Sequence, residues 1–228
     1  MGGGCSQCSM PHFKVLDTRA TEAENEFLNN RRVCYFLKVP NRSSTVTETV
    51  HSVKDGETMV LSREDHPRLR LLGIDLPEMS KRAPHARECY DFLRRRCPEG
   101  TKVTVEYNGC SRRDMSGRLA LVYVPHHSGD GFVCLNAALL EMGLAYLYAS
   151  RQAGAQHTDV LNAALLDARH KKRGIWRHVN EKMPVVVSPT GEVFHRVDNS
   201  CVHRDRQEMT LGEALNTMRS PCHTCRPL

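Results

Sequence analysis

The chain has 228 residues, 40% of them hydrophobic and 25% charged, with 32 Lys and Arg against 26 Asp and Glu for a net charge of +6. That composition excludes collagen-like and low-complexity classes and leaves room for one ordinary domain with something small attached. The modest basic excess suits a polyanionic partner, nucleic acid or anionic lipid, without choosing between them.

No apolar run is long enough to span a bilayer, and the start shows no cleavable leader. Met1-Gly2-Gly3-Gly4-Cys5-Ser6 fits the N-myristoylation pattern, with Cys5 and Cys8 placed to carry palmitate. One myristoyl chain attaches only marginally and a second makes attachment durable, so this segment predicts association with the cytoplasmic side of a membrane. Residues up to about 32 read as a polar linker with room for a short helix around Thr21–Asn29.

From Val33 to Trp176 the pattern is strands, helix, strands, then two helices. Strands are expected over Val33–Val39, Thr45–Val53, Thr58–Leu61 and Leu69–Ile74. Ala83–Arg96 carries apolar residues at helical spacing and stops at Pro98-Glu99-Gly100. Thr101–Tyr107 and Leu119–Val124 follow as strands, then helices over Leu135–Met142 and Gln156–Arg173, each closed by a glycine. With no secretory leader, Cys34, Cys89, Cys97, Cys110 and Cys134 read as reduced structural thiols.

The chemistry sits in three separated pieces. Arg70-Leu71-Leu72-Gly73-Ile74-Asp75-Leu76-Pro77-Glu78 occupies a strand and the loop leaving it. Asp55-Gly56-Glu57-Thr58 lies upstream, and Arg113-Asp114-Met115-Ser116-Gly117-Arg118 downstream. Carboxylates for a hard cation and a water, with arginines for a phosphate, are the parts of a metal-assisted phosphodiesterase.

The order of these pieces resembles the staphylococcal nuclease (thermonuclease-like) family. The likeness runs from near Thr47 to Trp176 and includes Leu135-Asn136-Ala137, Gly143-Leu144-Ala145 and Gly174-Ile175-Trp176. It implies an α+β fold: an OB-type five-stranded β-barrel with three helices. It also implies Ca²⁺ held by Glu57, Asp75 and the backbone carbonyl of Leu76. Glu78 then stands at the position of the general base, and Arg70 and Arg118 at those of the phosphate clamps. Tyr146 and Tyr148 lie close to where the family carries tyrosines beside the bound nucleotide. The implied activity is endonucleolytic cleavage of DNA or RNA leaving 3′-phosphates.

The chain departs from the family at two positions. Glu57 stands where Asp is usual, and its extra methylene moves the carboxylate by about 1.5 Å. A misplacement of that size can cost on the order of a hundredfold in rate. Leu76 stands where Thr is usual, which keeps the carbonyl and loses a hydroxyl. The alternatives are tuning to another ion such as Mn²⁺, or a catalytically weakened barrel that binds nucleic acid or protein.

Beyond residue 178 the chain changes character. His195, Cys201, Cys222 and Cys225 have the spacing of a closed tetrahedral Zn²⁺ site, with His203 and His223 as substitutes for His195. Met209–Leu215 between them reads as a short capped helix. So small a segment has little core of its own, and a structural metal would stabilise it. It resembles Cys/His modules appended to bacterial nucleases of the family. The expected organisation is an acylated linker over 1–32, a nuclease-like domain over 33–178 and a zinc module over 179–228.

Overall fold

The computed structural model describes residues 33–39, 45–64, 67–107, 113–114, 117–126, 129–148, 155–198, 201 and 205–228. The acylation signal at Gly2, Cys5 and Cys8, the linker, the helix expected around Thr21–Asn29, Cys110 and His203 lie outside them.

Five strands close a mixed barrel. They are β2 (Thr45–Val53), β3 (Thr58–Leu61), β4 (Arg68–Leu71), β6 (Lys102–Tyr107) and β8 (Gly117–Pro125). Consecutive pairings are antiparallel except β4 with β8, which run parallel, and β8 then meets β6 to close the ring. Alternation marks β2, β4 and β6, where Val50, Leu69 and Val103 are buried between more exposed neighbours, whereas β8 is buried continuously from Ala120 to Val124. A short hairpin strand, β7 (Arg113–Asp114), folds back on β8.

Two expected strands change length. Val33–Val39 contracts to β1 (Tyr35–Phe36), which among the described residues pairs only with the three-residue β9 (Phe132–Cys134). Leu69–Ile74 breaks at Gly73, whose φ is +74° and where a Cβ would sit 2.6 Å from the Leu161 side chain. The chain therefore leaves the barrel, and β5 (Ile74–Asp75) pairs instead with β10 (Tyr146–Leu147).

The helices cover the barrel. α1 (Ala86–Arg96) starts later than expected, because Ala83 precedes a proline and His85 adopts a left-handed backbone (φ 64°). It buries Ala86, Cys89, Phe92 and Leu93, one face at helical spacing. α2 (Leu135–Glu141) is buried along its whole length, and α3 (Ala155–His170) packs Leu161, Ala164, Leu165 and Ala168 inward. The glycines of two recurrent pieces touch each other: a Cβ on Gly143 would lie 2.2 Å from the Arg173 carbonyl, and the Ile175 amide donates to the Gly143 carbonyl at 2.8 Å. Cys34, Cys89, Cys97 and Cys134 are free buried thiols, and burial pushes Cys89, Cys97 and Cys134 up to about 12. They are inert packing residues, as expected.

The C-terminal segment forms a four-stranded sheet that sequence periodicity did not reveal. Its order is β13 (Gln207–Thr210), β11 (Pro184–Val187), β12 (Val193–His195) and β14 (Ser220–Pro221). Strands this short carry almost no periodic signal. The expected capped helix is present as α4 (Leu211–Asn216), with Thr210 and Glu213 forming a reciprocal capping box. Val185, Val187, Phe194, Leu211 and Leu215 join the same apolar core as the barrel. Two polar ties reinforce the joint: Arg169 on α3 forks onto Glu181 at 3.0–3.1 Å, and the Ser220 hydroxyl donates to the Leu147 carbonyl at 2.7 Å. Among the described residues no helix is long and apolar enough to cross a membrane.

Asn136 explains the Leu-Asn-Ala piece. Fully buried, it accepts from the Val122 amide at 3.0 Å and donates to the carbonyls of Leu72 (2.9 Å) and Ala120 (3.1 Å). It thus ties α2 to β8 and to the turn that precedes Gly73. Truncation removes the partner of the Val122 amide and of the Leu72 carbonyl away from water, while the Ala120 carbonyl keeps the Leu72 amide at 2.9 Å, so Asn136→Ala is expected to lose about 2–4 kcal/mol in urea unfolding.

Candidate functional site

The three chemical pieces converge at one end of the barrel because of strand register. Thr58 on β3 lies opposite Arg70 on β4, which places Glu57, one residue earlier, beside the Arg70 side chain. The Leu71 amide donates to the Glu57 carbonyl at 2.9 Å and fixes that turn against β4. The Glu57 amide in turn donates to Asp55 Oδ1 at 2.9 Å, the local hydrogen bond that an Asp-Gly turn favours. Arg70 and Glu57 form an ion pair at 2.8 Å, both largely shielded from solvent. After the turn at Gly73, β5 brings Asp75 to the same mouth, held by β10 with Tyr146 opposite.

The electrostatics are unbalanced. Burial pushes the Glu57 carboxyl above the usual carboxylate range, against the opposing pull of Arg70, and Asp75 and Asp55 add to the rise. Burial likewise raises Asp75, with His223 and Arg70 opposing. Glu57 Oε2 is buried and has no hydrogen-bond partner among the described residues. Two shielded acids, one guanidinium and an orphaned carboxylate oxygen fit a hard divalent cation with oxygen ligands. Leu76 is buried directly after Asp75, with its amide turned to the Asp75 carboxylate.

Glu78 sits on the exit loop, half-exposed, capping the short 3₁₀ turn Met79–Lys81. Both its oxygens face cations: Lys81 lies 2.8 Å from Oε2, and Arg226 pairs with Oε1. Arg118 on β8 is drawn aside, its guanidinium carbon 4.2 Å from the centroid of the Tyr107 ring. Tyr146 packs edge-on to Trp176 with centroids 5.8 Å apart, and burial with the nearby Asp75 pushes its hydroxyl up to about 12. Tyr148 is the more exposed of the two tyrosines and meets the His223 ring at 6.0 Å.

Sequence reasoning missed Lys81, His223 and Arg226 as neighbours of these acids. His223 was an alternative metal ligand to His195, but its Nε2 instead stands 3.7 Å from Asp75 Oδ2. No local signal marks a pairing across some 150 residues of chain; only the turn enforced by Cys222 and Cys225 predisposes their neighbours to project together.

The second centre gathers the expected ligands. His195, Cys201, Cys222 and Cys225 present ligand atoms all within 4.8 Å of one another. Cys225 Sγ lies 3.7 Å from His195 Nδ1, close to the edge of a tetrahedron built on ordinary metal–sulfur and metal–nitrogen bonds. The Arg196 amide donates to Cys225 Sγ at 3.4 Å. Burial lowers His195, which favours the neutral imidazole that a metal needs. Burial works against ionising Cys222, but amides of Cys225 and Thr224 outweigh it and the thiol lies below its ordinary range; burial pushes Cys225 up to about 11. This Cys/His cluster can hold a metal such as zinc.

No curated protein matches the chain. Residues 68–178 match the family model of the staphylococcal nuclease homologue. The matched stretch begins at β4 and omits β2, β3 and Glu57, which the barrel nevertheless closes around the same mouth. Together with the closed five-stranded barrel and the order of its chemical pieces, this makes the central domain of the chain a staphylococcal nuclease homologue domain.

Proposed function

We propose that the chain is a Ca²⁺-dependent phosphodiesterase that cleaves DNA or RNA and leaves 3′-phosphates. The observation that carries this reading is the shielded pair Glu57 and Asp75, with an orphaned Glu57 oxygen, next to Arg70. Glu57, Asp75 and the Leu76 carbonyl would hold the cation, which when bound supplies charge relief to the phosphoryl oxygens. Arg70 is already beside the acids and exchanges Glu57 for a phosphate oxygen, a match for its planar fork. Arg118 leaves the Tyr107 ring to hold a second oxygen, strengthening as charge accumulates.

Glu78 accepts a proton from the attacking water. The water oxygen bonds to phosphorus, the bond from phosphorus to the 5′ oxygen breaks, and that oxygen leaves with the electron pair and takes a proton from solvent water to become a hydroxyl, while Glu78 returns its own proton to solvent. Glu78 is half-exposed and tethered by cations at both oxygens, so it is oriented but must release one partner before it takes the proton. Tyr146 and Tyr148 flank the route of the strand, Tyr148 with an exposed face for stacking. The Cys/His cluster has no open position and serves as a structural Zn²⁺ site. N-terminal acylation at Gly2, Cys5 and Cys8 would hold this activity at a membrane surface on the cytoplasmic side.

A second reading has an observation in its favour. Glu57 is tied to Arg70, and Glu78 to Arg226, so the reactive groups neutralise one another in the resting molecule. On that reading the barrel grips nucleic acid or protein without cutting. The deciding assay uses labelled single-stranded DNA and RNA with Ca²⁺ titrated and Mn²⁺ and Mg²⁺ in parallel. We expect Ca²⁺-dependent cleavage that falls about a hundredfold or more in Glu78→Gln. No cleavage with any of the three ions, alongside retained binding, would establish the binding module instead.

The zinc assignment has its own check. Purified reduced protein is expected to contain one zinc per chain by elemental analysis, and Cys201→Ser to lose it and melt at lower temperature. Protein without zinc, or a Cys201→Ser variant that retains metal and melting point, would reject the assignment.

A further inference from the structure

A cavity of about 350 Å³ opens directly beside Asp75 and Glu78. Its walls come from both parts of the chain: Pro77, Pro84 and Ile175 from the barrel side, Pro221 and Leu228 from the Cys/His module. Tyr146 lines it, and His223 and Arg226 give it polar groups. A mostly apolar space with a few converging polar groups is the usual form of a small-molecule site.

The module wall is fixed. The Ser220 hydroxyl bonds the Leu147 carbonyl just before the cavity, and Arg169 locks Glu181 and Asn216 behind it. Arg226 is aimed by the metal-ligand turn itself: its amide donates to the Cys222 carbonyl at 2.9 Å, and its backbone is left-handed with φ 47°. The Cys222–Cys225 turn therefore delivers a guanidinium to Glu78 and an imidazole to the edge of Asp75.

We propose that this cavity is a nucleotide subsite shared by the barrel and the Cys/His module, taking the base of one unpaired nucleotide while Arg226 takes its phosphate. The apolar walls and the tyrosine edge suit the flat face of a base. Turning a stacked and paired base out of a duplex costs free energy that an unpaired base does not, so the subsite selects unpaired strands. Arg226 is paired to a carboxylate in the nucleotide-free molecule, and a phosphate offers its fork the same bidentate partner. Its transfer to phosphate releases the Arg226 pairing at the moment the strand is seated and leaves Lys81 on the Glu78 carboxylate. The timing of that release rests on the nuclease reading above; the binding site does not.

The test is fluorescence anisotropy with the full chain in calcium-free buffer, using a labelled oligothymidylate and a fully abasic strand of equal length. The wild-type chain is expected to prefer the oligothymidylate by about tenfold, the order that stacking one base contributes. Ala83→Phe, which fills a cavity wall at a partly exposed position, is expected to abolish that preference. Arg226→Gln is expected to weaken both strands and reduce the salt slope by about one phosphate contact, with Arg226→Lys restoring the slope. Equal affinity for the two strands, a preference that survives Ala83→Phe, or a salt slope unchanged in Arg226→Gln would each overturn the proposal. Cleavage is followed in parallel with Ca²⁺ added. Base-selective binding without cleavage rejects the nuclease reading alone, and cleavage without base selectivity rejects this subsite alone.

Discussion

Burial of two carboxylates at one barrel mouth, with a single guanidinium between them, is the constraint on which the rest of the site depends. Burial raises both carboxyls above the usual range, with Asp75 adding to the rise at Glu57 and Glu78 to that at Asp75. Sheet geometry leaves them no escape. The β3–β4 register pins Glu57 beside Arg70, and the Gly73 turn with the β5–β10 pairing pins Asp75. Under the proposed function, a cation flanked by a phosphodiester would give these acids and Arg70 partners of opposite charge.

The second organising fact is that the Cys/His segment does not hang from the barrel. It shares the barrel's apolar core, ties to α3 through Arg169, and sets Arg226 and His223 against the acids. Metal binding there would thus bear on the chemistry at a distance of a few residues, since the ligands Cys222 and Cys225 flank His223 and immediately precede Arg226. A small segment with little core of its own gains rigidity from a metal and passes it to the cleft wall.

What the sequence made legible follows from how local each signal is. The barrel strands around Val50 and Val103 alternate, the one around Val122 is a short continuous apolar run, and α3 repeats its apolar face from Leu161 to Ala168, so pattern alone locates them. The Cys/His cluster is equally legible, because Cys222 and Cys225 are three residues apart and His195 and Cys201 six apart in the sequence. The C-terminal strands are two to four residues long, and their pairing is decided by contacts far apart in sequence. The contact of Arg226 with Glu78 had no sequence signature for the same reason. Glu57 could be named as a ligand only by resemblance; its pairing with Arg70 is a product of register.

The central claim is that Glu57 and Asp75 form a cation site, and calorimetric titration of Ca²⁺ into the chain tests it without requiring turnover. The account predicts one Ca²⁺ bound per chain, with affinity reduced at least about tenfold in Glu57→Gln, where a neutral amide replaces a buried carboxylate ligand. Absence of Ca²⁺ binding to the wild-type chain, or equal binding to Glu57→Gln, would contradict it.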